Sequence, residues 1–165
     1  MIQIELTTHI SAPLERCFDL CRSIDLHMAS TNWTGEKAVA GVTSGLIGAD
    51  QEVTWKGRHF GLWVSHTSGI TASDPPHFFQ DSMVRGAFKR FCHDHYFTAQ
   101  GRDGTLMGDR MEFEAPLGVL GWLAERLVLE RHMRRLLHRR NQCIKRAAES
   151  GGWKGFSPFD RGQLA

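Results

Sequence analysis

The stretch from Phe88 to Gly118, FKRFCHDHYFTAQGRDGTLMGDRMEFEAPLG, decides the fold. Gly101-Arg102-Asp103-Gly104 is a hairpin turn signal between two runs of alternating character. In the first run, Phe91, His93, His95 and Phe97 share one strand face; in the second, Met107, Asp109, Met111 and Phe113 do. The other face of the second run carries Arg110, Glu112 and Glu114, which favour water, so the first-named faces point inward. A turn at 101–104 puts Phe97 near Met107, His95 near Asp109 and His93 near Met111. Pro116 and Gly118 end the second strand.

Downstream, residues 119–149 follow a helical period. Val119, Met133, Leu137 and Ile144 make one stripe, flanked by Trp122, Leu123 and Leu129, while Arg131, Arg135, Arg139 and Arg146 take the far side. Arg126 and Arg140 break this rule by falling near the centre of the apolar stripe. An arginine there needs a partner or a wet cavity, so Arg126 is a candidate anchor for an acidic ligand group, with Glu130 one turn away as the alternative partner. Residues 150–165 read as a loose tail after a single domain of residues 1–149.

Upstream, Ile2, Ile4 and Leu6 alternate with polar residues in a strand over 2–10. Ser11-Ala12-Pro13 opens a short helix with Ser11 as its cap and Leu14, Cys17, Phe18 and Cys21 on its apolar side. A second short helix covers Ile24 to Ser30. Strands are expected at Val39 to Thr43 and Gln51 to Lys56, then a tight turn at Gly57-Arg58 into a long strand near Phe60 to Thr71. Asp74-Pro75-Pro76 breaks the chain before a strand from His77 to Arg85, with His77, Phe79, Asp81 and Met83 facing inward. A turn at Gly86 brings Phe79 near His93 and His77 near His95. In the long strand Phe60, Leu62, Val64, His66 and Ile70 form the inward face, joined by Val53 and Trp55.

One strand, two short helices, about six strands and a long amphipathic helix describe an α+β protein: a curved antiparallel sheet of roughly six or seven strands wrapped on the last helix. Such a wrap leaves space for a ligand between sheet and helix. The 165 residues, with 41% hydrophobic and 23% charged, suit one ordinary globular domain. The first residues lack a basic segment followed by an apolar run, and no stretch reaches the roughly 18 apolar residues of a membrane span, so a cytoplasmic location without membrane insertion is expected. Cys17, Cys21, Cys92 and Cys143 are then reduced thiols. Gly45-Leu46-Ile47-Gly48 lacks the lysine and hydroxyl residue of a phosphate loop.

The order of elements, with Arg22-Ser23-Ile24-Asp25-Leu26-His27, Val53-Thr54-Trp55, His59-Phe60-Gly61 and Arg85-Gly86-Ala87-Phe88, resembles the START/polyketide-cyclase-like (SRPBCC) superfamily, the helix-grip fold. His93-Asp94-His95, Ala115-Pro116-Leu117-Gly118 and Arg139-Arg140-Asn141 add to the resemblance, which is to a bacterial cyclase/dehydrase-like or cell-division-associated branch. The resemblance implies a cavity for lipids, hormones or polyketides; some members of the superfamily are enzymes.

Three functions follow. The leading one is a carrier or sensor that binds an apolar or amphipathic small molecule. Its expected lining is Trp55, Phe60, Leu62, His66, Phe79, Asp81, Met83, Phe91, His93, His95, Met111, Phe113, Arg126 and Met133. The second is a cyclase or dehydratase in which Asp109 orients His95 as general base. The third is an interaction module using the basic helix, since residues 125–149 carry eight Lys/Arg against three Glu. That helix lacks aromatics interleaved for base stacking, so no nucleic-acid partner is expected. His93 and His95 with Asp81 or Asp109 could ligate a metal, but without a third His or Cys at motif spacing no metal or other cofactor is assigned. Self-association is left open.

Overall fold

A computed structural model describes residues 1–115 and 128–156. The chain forms β1 (Ile2–Ile10), α1 (Leu14–Cys21), α2 (Ile24–Ser30), a 3-10 turn at Asn32–Thr34, β2 (Lys37–Gly41), β3 (Glu52–His59), β4 (Leu62–Asp74), β5 (Phe78–Arg85), β6 (Arg90–Ala99), β7 (Thr105–Glu114) and α3 (Glu130–Glu149). The seven strands make one antiparallel sheet in the order β1-β7-β6-β5-β4-β3-β2. Every sequential neighbour from β2 to β7 is paired with the next, and β1 closes onto β7 from the far edge. Register shifts at Ala38/Ala40, Thr67/Ser68 and Ile70/Ala72 insert extra residues that bend the strands, which gives the sheet its curve.

The β6–β7 register matches the sequence reading, with His93 opposite Met111, His95 opposite Asp109 and Phe97 opposite Met107. The β5–β6 register is shifted by two residues: Phe79 lies opposite His95, and Asp81 opposite His93. The connection is centred on Ala87 rather than Gly86, and it turns Phe88 inward against Phe91 and Phe113.

The expected turn at Gly57-Arg58 is also displaced. Strand β3 runs through both residues, and the reversal occurs at Phe60-Gly61, both at positive φ (51° and 82°), as a two-residue hairpin of the right twist needs. Gly57 serves another purpose. A Cβ there would stand 3.1 Å from Glu36 Cβ and 3.3 Å from Glu36 Cα, so the missing side chain admits Glu36 over the strand.

Two short helices plug one end of the sheet. The α1 residues Leu14, Cys17, Phe18, Leu20 and Cys21 are buried, and Phe18 meets Phe79 and Phe97 edge-on. Ser11 does not cap α1; Pro13 holds that position, and the Ser11 amide donates to Glu149 Oε1 on α3. Ser23 does cap α2, accepting from the Leu26 amide. Helix α3 buries Leu137, Asn141, Ile144, Ala147 and Ala148, and leaves Arg131, Arg135, Arg139 and Arg146 exposed. The first residues of the expected loose tail instead form a 3-10 turn, Gly151–Gly155, whose Trp153 carries the Arg16 guanidinium on its ring at 4.6 Å. Among the described residues no helix is long and apolar enough to cross a membrane.

Candidate functional site: a cavity with a buried polar end

Between the concave sheet and α3 lies a space of about 360 Å³, within the range of small-ligand sites. Its walls are mostly apolar: Trp55, Val64, Ile70 and Phe79 from the sheet, Phe88 and Phe91 near the β5–β6 connection, and Met133, Leu136 and Leu137 from α3. Such walls arise because alternate residues of each strand face the helix.

The expected lining residues divide as follows. Trp55, Phe60, His66, Phe79, Asp81, Phe91, His93, Met111 and Met133 border the space. Leu62 shares the inward parity of β4 but is the strand's first residue and is 69% exposed. Met83 crowds against Gly86 together with His66, outside the lining. Phe113 is fully buried, clustered with Ile4, Met111 and Leu137, and does not border the space. His95 has no accessible surface, because Phe79 stacks on it at 4.1 Å and Cys21 of α1 covers its other edge. Arg126 and its expected pairing with Glu130 lie outside the described residues; Glu130 meets Arg134 at 3.4 Å.

The deep end is polar. His95 Nε2 donates to Asp81 Oδ2 at 3.0 Å, and His93 Nε2 donates to Asp109 Oδ1 at 3.0 Å. His95 Nδ1 stands 3.2 Å from Asp109 Oδ1 and 3.6 Å from Cys21 Sγ. The Asn141 amide donates to Asp109 Oδ2 at 2.6 Å, tying α3 to the sheet. Arg140 Nη2 donates to the Cys21 carbonyl at 2.8 Å and to its sulfur at 3.4 Å, while Arg140 Nη1 is buried with no partner among the described residues.

Charge in this cluster is self-balancing. Burial alone would raise the Asp81 carboxyl, but the His95 hydrogen bond and the charges of His93, His95 and Arg140 bring it down to about 2. Asp109 is likewise held well below the carboxylate range, against its burial, by His93 and His95. Burial works against the His95 cation, yet Cys21, Asp109 and Asp81 raise its pKa well above the ordinary value; burial and the charge of His95 push His93 down. Two carboxylates thus face the His95 and Arg140 cations.

A second polar cluster sits on the cavity wall. Glu36 Oε1 accepts from His27 Nε2 at 2.7 Å, Glu36 Oε2 lies 3.5 Å from His59 Nε2, and His59 Nδ1 is 3.0 Å from His132 Nε2 on α3. His27 stacks on Trp55 at 4.2 Å, and Phe60 leans on His132 at 4.6 Å. Burial would raise the Glu36 carboxyl, but hydrogen bonds from His27 and His59 hold it well below the usual range. A depressed carboxylate contributes stability that is present above its unfolded value of 4.5 and lost as pH falls through that value toward the folded one. The melting-temperature gap between wild type and Glu36→Gln should therefore narrow between about pH 5.5 and about pH 3.5; thermal melts check this, and a constant gap contradicts it.

The residues that sequence reading did not assign to the cavity include Cys21, His27, Glu36, His59, His132 and Arg140. Arg140 carried a signal, its place on an apolar stripe. Glu36, His59 and His132 carried none, since they come from three distant segments.

No family model matches the sequence, and no curated protein does. Solved structures do. A protein from Thermus thermophilus aligns with a TM-score of 0.69 at 18% identity, over 89% of this chain and 99% of that one. The aromatase/cyclase Zhui from a Streptomyces species aligns with a TM-score of 0.66 at 12% identity, over 92% of this chain and 98% of that one. A START superfamily protein from Mycobacterium smegmatis aligns with a TM-score of 0.63 at 13% identity, over 89% of this chain and 97% of that one. The chain has the START-like, helix-grip fold of the SRPBCC proteins.

Proposed function

We propose that residues 1–149 form a binding domain that holds an apolar or amphipathic small molecule between the sheet and α3, as a carrier or sensor. The observation that carries this reading is the space of about 360 Å³, apolar along its walls and polar at one end. An apolar body fits Trp55, Ile70, Phe91 and Met133, while an oxygen acceptor on the ligand would meet the unpartnered Arg140 Nη1. A fold shared with a START superfamily protein and an aromatase/cyclase supports a cavity but does not choose the ligand. Native mass spectrometry of the purified protein should reveal a co-purified small molecule.

Ser68 gives a sharper test. It is buried, borders the space, and projects from β4. Ser68→Phe places a ring where the ligand lies, so binding of an environment-sensitive apolar fluorophore should weaken by about tenfold or more while the fold, read by circular dichroism, persists. Equal binding by both proteins would place the ligand elsewhere.

A second reading, a proton-transfer enzyme of the cyclase or dehydratase kind, is favoured by one observation: Asp81 and His93 border the space and are linked through Asp109 and His95. In that reading His93, rather than the sealed His95, meets the substrate. Turnover of a polyketide-like substrate lost in His93→Gln, with binding retained, would establish it.

A further inference from the structure

We infer that Asp81, His93 and His95 form a binding site for one divalent first-row transition ion at the deep end of the cavity. One donor atom from each residue lies within 4.8 Å of the other two, close enough to converge on a single ion. The two imidazoles come from β6, two positions apart and therefore on one face, and Asp81 comes from β5 directly opposite His93. Two imidazoles and one carboxylate suit Zn(II), Fe(II), Co(II) or Mn(II).

The surroundings supply what a ligand set needs beyond its first three atoms. Asp109 Oδ1 takes His93 Nε2 at 3.0 Å and stands 3.2 Å from His95 Nδ1. With those nitrogens turned to Asp109, the remaining ones, His93 Nδ1 and His95 Nε2, face Asp81 Oδ2 at 3.8 and 3.0 Å. A carboxylate behind each histidine fixes its tautomer and strengthens it as a ligand. Asp109 is itself fixed by Asn141. An ion here takes the place of the proton held between His95 Nε2 and Asp81 Oδ2.

Charge and access agree with this assignment. The two carboxylates match the charge of a divalent ion. Asp81 and His93 border the cavity, so the remaining coordination positions open toward whatever occupies it. Arg140 lies at the same end and leaves a local positive excess, which favours an anionic oxygen as the further ligand. The ion is held by these side chains whether or not the cavity also takes an apolar molecule.

The test uses the full chain, freed of metal with a chelator and titrated with Co(II). The visible ligand-field absorption should saturate at one ion per chain. Asp81→Asn, which keeps the side chain's shape, should weaken binding by at least about tenfold, and His93→Gln should do the same. In the wild type, proton NMR should show ring resonances of two histidines moved far out of the diamagnetic range. Co(II) binding undiminished in both variants, no saturable binding, or shifted resonances from no histidine would each overturn the site. The NMR reading on the wild type decides the matter even where a variant fails to fold.

Discussion

Asp109→Ala should cost about 3–5 kcal/mol of folding stability, because it removes one partner from a buried charged cluster and strands the others. Asp109 is 3% exposed and accepts from His93 and Asn141 while standing 3.2 Å from His95. Without it the His95 cation keeps Asp81 and the weaker Cys21 sulfur contact, His93 Nε2 loses its acceptor, and the Asn141 amide is left with Thr8 Oγ1 at 3.3 Å. For a chain of this size the melting temperature should drop by roughly 10 °C. Denaturant unfolding followed by circular dichroism measures the effect. A loss below about 1 kcal/mol would mean that water enters the cluster and that the residues do not act as one unit.

The same cluster shows what a sequence can and cannot reveal. The β6–β7 hairpin was readable because Gly101 to Gly104 set its turn and alternation set its faces, which placed His93, His95 and Asp109 together. The neighbouring β5–β6 pair was not, since nothing in Arg85-Gly86-Ala87-Phe88 marks which residue is central, and a shift of one in the turn moves the partners by two. Asp81 thus came opposite His93 only in three dimensions. Strand parity also says which face a side chain takes but not how deep it lies. His95 and His93 share a face, yet Phe79 and Cys21 seal the first and leave the second on the cavity wall. Gly57 misled for a related reason: a glycine signals either a turn or a close approach of backbone, and here Glu36 rather than a turn required it.

Arg140→Met should weaken binding of an apolar carboxylate, such as a fatty acid, by about tenfold to a hundredfold, and leave the matching fatty alcohol much less affected. The guanidinium stands at the polar end of the cavity with Nη2 committed to Cys21 and Nη1 unpartnered among the described residues, so it offers a donor to a ligand oxygen. Its charge also faces Asp81 and Asp109, and burial opposes that charge less than Cys21, Asp109 and Asp81 support it. Methionine fills a similar volume but removes both donor and charge. Competition of each lipid against an apolar fluorophore, in wild type and variant, gives the two affinities. Arg140→Lys should recover the charge but not the fork that serves Cys21 and ligand at once, and so should recover carboxylate binding only in part. If the acid and the alcohol weaken equally, Arg140 acts only as a brace between α3 and the end of α1, through the Cys21 carbonyl. In that case the ligand's polar group must be sought at Glu36 and the histidines around it, the other polar patch on the cavity wall.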